Sequence, residues 1–251
     1  MTNRYLKLAF CTANNAYLAI CILGVASASA TTTPNNILAS YHAVYAYKLG
    51  ETSVDIIRTL ETINGQYKLN LSVSSMLAGF NETSIFKIEK QRIKPIKYTY
   101  KGTGLNRRKS SNDFNWPKGI VRSFYKDKWY SLDIQHGIHD QNSWVEQMRL
   151  RFINGSSANS QSFIIMSGKR IKHYAIEYLG EEKISTILGP VNGLHFVRKK
   201  ANSEREFHIW FAKDWHYLPL KIVQIDQYQN TTQVSLKSAV IDGRRISLSN
   251  N

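Results

Sequence analysis

Apolar and polar residues alternate with a period of two along most of this chain. Residues 67–74 alternate without a break, and the same pattern surrounds Tyr98, Leu132, Ile176 and Ile209. Successive side chains of a β-strand point to opposite faces, so this alternation indicates strands with one buried and one solvated face. Strands of this kind pair antiparallel and are joined by hairpins. The chain is therefore predicted to be mainly β.

Short pairs of turn-forming residues separate the predicted strands. Turn signals lie at 64–65, 102–104, 192–193 and 242–243, where Asn-Gly, Gly-Thr-Gly or Asp-Gly tolerate the positive φ angles that tight hairpins require. Glu181 and Glu182 follow Gly180 and are interpreted as a solvated turn, since a general acid needs burial to raise its pKa.

One segment departs from the strand pattern. Ser143 and Glu146 have the spacing of a capping box, in which the serine oxygen accepts from a free helix N–H and the glutamate reaches back. The Asn-Gly pair at 154–155 ends the segment. We predict a helix of about three turns over residues 143–152, with one apolar face. Residues on that face follow at a spacing of four: Trp144, Met148 and Phe152.

One helix beside a long antiparallel meander predicts a curved sheet or half-open barrel with the helix packed on it. A closed barrel and a two-sheet sandwich remain alternatives that the pattern does not separate. No internal repeat or low-complexity linker interrupts the chain. Residues 31–251 are therefore predicted to form a single β-rich domain.

The first 30 residues have the pattern of a cleavable export signal. Arg4 and Lys7 give a positive start, residues 16–26 are almost wholly apolar, and residues 28–30 read Ala-Ser-Ala. The apolar run is too short to span a bilayer and lies in the usual range of signal peptides. We expect cleavage before Thr31 and a periplasmic location. An uncleaved N-terminal anchor and lipid attachment at Cys21 are the alternatives.

The domain that remains after cleavage is strongly basic. The whole chain has a net charge of +15, and removal of Arg4 and Lys7 leaves +13. Outside the cytoplasm the polyanions that attract such a protein are lipid head groups, lipopolysaccharide and wall polymers rather than nucleic acid. A general basic bias that only aids solubility explains the charge equally well. Both cysteines, Cys11 and Cys21, lie in the signal, so neither disulfides nor thiol chemistry are expected in the domain.

Much of the positive charge lies in residues 87–109, which hold nine Lys and Arg. Alternation places Tyr98 and Tyr100 on one face of a strand, as lining of the core or of a cavity, and the neighbouring lysines on the other. Because the two sets point apart, binding of single-stranded nucleic acid is not favoured. The cationic face is a candidate contact with an anionic membrane. Its residues are Lys94, Lys97, Lys101, Arg107 and Arg108.

Aromatic residues near the helix and near residues 207–217 form a second concentration. Trp210 lies on the His208 side of its strand, away from Phe207 and Phe211. An aromatic-lined concavity takes acyl chains or hydrophobic peptides. Ordinary packing against the helix is the alternative. The candidate ligand-binding residues are Tyr98, Tyr100, Trp144, Trp210 and Trp215.

Patterns typical of enzymes are weak in this chain. His136, His139 and Asp140 resemble a metal cluster, but helical zinc ligands lie at i and i+4, and this cluster precedes the helix, where Asp140 is better placed as a cap. The sequence has no nucleophile elbow, P-loop or dinucleotide fingerprint. We therefore expect no catalytic residues, metal or cofactor. A hydrolase using His139 and Asp140 is the weakest alternative.

Three stretches, taken in order, form a pattern that extends over nearly all of the chain after residue 30. They comprise residues 92–98 with 114–121, residues 140–150, and residues 180–222. Together they resemble the domain-of-unknown-function family DUF3108, exported proteins of Gram-negative bacteria. The resemblance implies a periplasmic location and brings no activity or site residues. Lys221 departs from an expected arginine, keeping the charge without the bidentate fork that planar carboxylates and phosphates favour.

These features predict an exported, non-enzymatic domain that binds or carries a lipid-like or amphiphilic ligand of the cell envelope. The alternative is a scaffold or assembly partner of another envelope protein, docked through an exposed strand edge. A large apolar cavity favours the first function. A filled core with an uncovered edge strand favours the second.

Overall fold

The computed structural model describes residues 38–49, 52–74, 78–104, 107–199 and 204–247, which form sixteen strands and one helix. The signal peptide predicted for residues 1–30 lies outside these ranges. The first strands are β1 (Tyr41–Leu49), β2 (Thr52–Ile63), β3 (Gln66–Val73), β4 (Ala78–Glu89), β5 (Arg92–Gly104), β6 (Lys109–Asn115), β7 (Ile120–Tyr125), β8 (Lys128–Asp133) and β9 (Ile138–His139). Helix α1 (Ser143–Ile153) follows. The remaining strands are β10 (Gln161–Ser167), β11 (Arg170–Thr186), β12 (Gly189–Lys199), β13 (Glu206–Ala212), β14 (Pro219–Ile225), β15 (Thr231–Ile241) and β16 (Arg244–Arg245).

All sixteen strands belong to one large, curved sheet. Its order runs from β8 back to β1, crosses to β15, and runs back again to β9, while β16 pairs with β15 at the side. The pairs are antiparallel except for the two-residue pairing of β9 with β10. In the described part of the chain no ladder joins the terminal strands β8 and β9, so the sheet does not close by hydrogen bonds. The predicted curved sheet or half-open barrel with one helix is confirmed.

The two ends of the sheet meet through side chains. Phe114 and Val121, from β6 and β7, pack in one cluster with Ile138 and Met166, from β9 and β10. At the same seam Ser123 Oγ donates to the carbonyl of Gly168 at 2.7 Å. Side-chain contacts therefore bring together two ends of the sheet that no backbone ladder joins.

Helix α1 lies within the curve of the sheet. Trp144 and Phe152 pack against Phe163 and Phe196, with ring centroids 5.9 and 5.7 Å apart. The polar side of the helix is equally enclosed, since Glu146 and Arg149 are both fully buried. The predicted helix is confirmed. The prediction that it packs through a single apolar face is wrong, because the sheet covers the helix on more than one side. No helix among the described residues has the length and apolar character that a membrane span needs.

The start of α1 differs from the predicted capping box. Asp140 Oδ1 accepts from the N–H groups of Asn142 and Ser143 at 2.8 and 2.9 Å, so its carboxyl group lies at the helix start as expected, although the N-cap residue is Asn142. Ser143 Oγ accepts from the Asp140 N–H at 3.0 Å. Glu146 turns away to pair with two arginines, Arg58 and Arg149. The capping box is therefore wrong, since buried guanidinium groups are stronger partners for Glu146 than a terminal N–H.

Two of the four predicted turns are confirmed, and residues 102–104 instead lie at the end of strand β5. Residues 64–65 and 242–243 are turns with positive φ at all four positions. Residues 192–193 instead lie inside β12, opposite Glu182 and Lys183, and the chain reverses at 187–188. The prediction of a turn at Glu181 and Glu182 is also wrong, since both residues lie inside β11. A register shift at Gly180, whose φ is 125°, lets β11 continue as a bulged strand where a reversal was expected.

Candidate ligand-binding site

A cavity of about 910 Å³ lies between the start of α1 and the inner face of the sheet. This volume falls within the range of small-molecule sites in proteins. Strands from both halves of the chain contribute to its wall, because the curved sheet brings β2–β5 opposite β12–β15. The apolar part of the wall is formed by Tyr45, Ile56, Leu71, Phe80, Tyr98, Tyr100, Trp144, Val145, Phe207, Ile222 and Val234.

The aromatic wall on β5 follows directly from strand alternation. Tyr98 is 5% exposed and Tyr100 is partly buried, whereas Lys97 and Lys101 between and beside them are exposed. Tyr100 stacks on Phe80 of β4, with ring centroids 5.9 Å apart. The inner face of β5 therefore presents a continuous aromatic surface to the cavity.

Two buried polar atoms in the cavity wall have no hydrogen-bond partner among the described residues. They are Tyr45 Oη and Asn112 Oδ1, and their residues are only 3% and 2% exposed. Burial raises the pKa of Tyr45 to about 12, so its hydroxyl keeps its proton and can donate. Buried polar groups are nearly always hydrogen-bonded in folded proteins. These two atoms therefore mark positions where a bound molecule can supply the missing partner.

The mouth of the cavity is cationic. Arg107, Arg108, Lys109 and Lys126 line it and are exposed, so the cavity reaches the surface at these residues. Asp127 is the acidic residue at the mouth. Lys109 also lies opposite Lys101 across the β5–β6 pair, which concentrates positive charge further.

Arg198 of β12 reaches the same cavity from the opposite side. Its guanidinium lies over three aromatic rings at 4.5–5.4 Å from their centroids. Burial lowers the pKa of the Arg198 guanidinium, and arginine side chains stay protonated in proteins. The three rings belong to Trp144, Tyr174 and Phe207.

A buried ionic cluster joins the cavity to the helix. Glu146 accepts from Tyr41 and Arg58 through Oε1, both at 2.8 Å, and from Arg149 through Oε2 at 2.5 Å. Burial by itself raises the pKa of Glu146, but the charges of Arg149 and Arg58 outweigh it, so the pKa lies below its ordinary value. Arg58 also lines the cavity. The cluster thus fixes one wall of the cavity to the helix.

Of the five aromatic residues predicted to bind a ligand, the structure brings Tyr98, Tyr100 and Trp144 to the cavity. Trp210 lies on the other face of its strand, stacked on His195 at 4.0 Å, with its Nε1 donating to Glu182 at 2.5 Å. Trp215 is buried and donates to the carbonyl of Ser247 at 3.2 Å. Neither of these two tryptophans lines the cavity.

The predicted cationic face divides into two parts. Lys94 and Lys97 form ion pairs with Glu89 and Asp113, at 2.6 and 3.5 Å. Lys101 is exposed on the same strand. Arg107 and Arg108 belong to the cavity mouth. Arg107 and Arg108 of the predicted face therefore belong to the cavity. Neighbouring carboxylates neutralise part of the charge of Lys94 and Lys97.

The residues of the weakest alternative, a hydrolase, do not line the cavity. His139 is buried beside Phe163, with ring centroids 5.4 Å apart, and burial lowers its pKa to about 4. His136 contacts Arg92. Asp140 is occupied at the helix start, and burial raises its pKa. Among the described residues no three His, Cys, Asp or Glu side chains form a group suited to a metal ion.

Sequence reasoning missed Tyr45, Asn112, Arg58 and Arg198. Arg198 had a local signal, since Leu194, Phe196 and Arg198 are each two residues apart and so share a face. An arginine in line with buried apolar residues is a candidate for a charged group inside a site. The other three residues carry no comparable mark in the sequence.

Comparison with known proteins gives a family and a fold. The family model described as "Protein of unknown function (DUF3108)" matches residues 42–237. A comparison with curated proteins gives no match. Among solved structures, the crystal structure of a beta-barrel-like protein of domain of unknown function DUF1849 from Brucella abortus is similar, with a TM-score of 0.52 and 8% sequence identity. The similarity covers 81% of this chain and 98% of that chain, and at this identity it concerns the fold alone.

Proposed function

Because the chain belongs to the DUF3108 family, a family of unknown function, we infer its role from the cavity and propose that the domain binds a lipid-like, amphiphilic molecule there. The role is that of a binding or carrier domain without catalysis. The observation that carries the proposal is the combination of an aromatic and aliphatic wall with the unpaired, buried Tyr45 Oη and Asn112 Oδ1. An amphiphile satisfies both parts, since its chain covers the apolar wall and its polar end supplies partners.

The proposal includes a location in the periplasm. Residues 1–30 carry the export pattern described above, and a carrier of envelope lipids acts outside the cytoplasm. The exposed cations at the mouth, Arg107, Lys109 and Lys126, suit an anionic membrane surface, where each contributes about 1 kcal/mol. Contact at this surface would set the cavity mouth against the source of its ligand. Lys94 and Lys97 contribute less to that contact, because neighbouring carboxylates offset their charges.

A scaffold role has one supporting observation. Strand β8 ends the sheet order, and Trp129 on it is 53% exposed. A terminal strand with an exposed aromatic residue suits docking of a strand from another protein. We favour ligand binding, because a cavity of about 910 Å³ is not the filled core that a purely structural partner has.

Filling the cavity tests the proposal. Val234→Trp places a large side chain into the space beside Ile222 and is expected to weaken binding of monolauroylglycerol and of dodecyl phosphate at least about tenfold. Isothermal titration below the micelle concentration measures the affinities. Gln233→Trp is the matched control, since its side chain lies on the other face of the same strand, and its affinities should equal those of the parent.

A second variant guards against a folding defect. Leu71→Trp fills the cavity from β3 and is expected to weaken binding in the same way, with thermal unfolding of each variant measured in parallel. Equal affinity of the parent, Val234→Trp and Leu71→Trp for both amphiphiles would refute binding in the cavity.

A further inference from the structure

Arg198 is partly buried and differs from the buried arginines Arg58 and Arg149. Arg58 and Arg149 both meet Glu146, at 2.8 and 2.5 Å. In the part of the chain that the structure describes, no hydrogen bond or ion pair reaches Arg198. Its contacts are the aromatic rings of Trp144, Tyr174 and Phe207. A charge is thus held in the cavity wall without a counter-ion.

The acidic residues that line the cavity do not act as the counter-ion of Arg198. Glu82 accepts from Asn142 Nδ2 at 2.7 Å, and burial raises its pKa, which favours its neutral form. Asp127 lies exposed at the mouth. Neither lies within ion-pair distance of Arg198. Withdrawal of a charge from water is costly unless an opposite charge accompanies it, so the partly buried guanidinium of Arg198 is a favourable position for an anion.

The aromatic surroundings prepare the guanidinium for such a partner. Three rings hold the planar group by cation–π contact and restrict its orientation, while its N–H donors remain available at its edges. A preordered arginine of this kind binds carboxylate or phosphate through two parallel hydrogen bonds. The cationic mouth adds long-range attraction for a negatively charged ligand.

We propose that the ligand is anionic and that its carboxylate or phosphate binds Arg198 inside the cavity. This inference rests on the proposed function, since it names the class of amphiphile that the cavity accepts. The chain of the ligand then covers the apolar wall formed by residues such as Leu71, Tyr98 and Val234. The hydroxyl of Tyr45, which lines the same cavity without a partner, offers a further donor.

The test compares amphiphiles with one chain length and different polar ends. The probes are dodecyl phosphate, dodecanoate and neutral monolauroylglycerol, with inorganic phosphate alone as a fourth. We expect the parent to bind at least one anionic amphiphile about tenfold more tightly than the neutral one. Arg198→Gln should lose this preference while it still binds monolauroylglycerol. The relative affinities of dodecyl phosphate and dodecanoate identify the head group. Binding of inorganic phosphate but of no amphiphile would assign the site to the free anion and would overturn the proposal that the ligand is an amphiphile.

Two further variants make the result specific. Arg122→Gln is the matched control, because Arg122 also lies over an aromatic ring, that of Trp129 at 4.8 Å, but does not line the cavity. It should keep the full preference. Arg198→Met, which keeps an apolar stem without the charge, should behave as Arg198→Gln does and replaces it if the glutamine variant does not fold.

Failure of this inference differs from failure of the proposed function. If the parent binds the anionic and neutral amphiphiles equally, or if both Arg198 variants keep the preference, the anion site is refuted while cavity binding stands. If no amphiphile binds the parent, the proposed function itself is refuted, and the anion site with it.

Discussion

Replacement of Glu146 by alanine is expected to lower the free energy of unfolding by about 3–5 kcal/mol. Glu146 is fully buried and is the carboxylate that both Arg58 and Arg149 meet. Without it two guanidinium groups remain in the interior with no opposite charge. Urea denaturation of parent and variant measures the difference.

Glu181→Ala is the matched control for this prediction. Glu181 pairs with Lys213 at 3.0 Å, but both side chains are exposed, and surface ion pairs contribute about 0–1 kcal/mol. A Glu146→Ala protein that unfolds at the same urea concentration as the parent would show that the cluster does not hold the helix in the sheet. A role of Glu146 in fixing Arg58 at the cavity wall would then be excluded.

Acidification is expected to destabilise the domain through His139. Its pKa is about 4 in the fold, because burial disfavours the charged ring, against an ordinary value of 6.5. Between these values the unfolded chain takes up a proton that the folded chain does not. The stability is therefore complete above about pH 6.5 and falls as the pH approaches 4, by up to about 3 kcal/mol from this residue.

The variant His139→Gln isolates this contribution. Urea denaturation at pH 7 and at pH 4 should show a smaller loss on acidification for the variant than for the parent. His173→Gln changes an exposed histidine and should leave the parent's loss unchanged. An equal loss in the parent and in His139→Gln would contradict a buried, neutral His139. Comparison of matched proteins removes the contributions of other groups, such as Asp140.

Much of the fold could be predicted because its signals are local. Strand alternation depends on neighbouring residues alone, so it located the inner face of β5 and the strand that carries Phe207 and Phe211. The helix was found for the same reason, from spacing and end signals. Family membership was also within reach of the sequence motifs, and the family match confirms it.

What the sequence could not predict depends on distant contacts. Glu146 fitted a local capping pattern, but its partner Arg58 lies 88 residues away and outweighs the local signal. The pair at 192–193 looked like a turn, although the bulge at Gly180 carries the neighbouring strand past it. Trp210 and Trp144 were equally good candidates for ligand contact, because only the curvature of the sheet decides which of them meets the cavity.

An amphiphile bound in the cavity is expected to place its acyl chain against Trp144. Bromine atoms quench tryptophan fluorescence on contact, so a dodecyl amphiphile brominated along its chain reports which tryptophan it meets. Trp144 lines the cavity, whereas Trp210 does not. We predict saturable quenching in the parent and in Trp210→Phe, and loss of most of it in Trp144→Phe, with binding of each protein verified by titration. Equal quenching in all three proteins, or none in the parent, would contradict an amphiphile bound in this cavity.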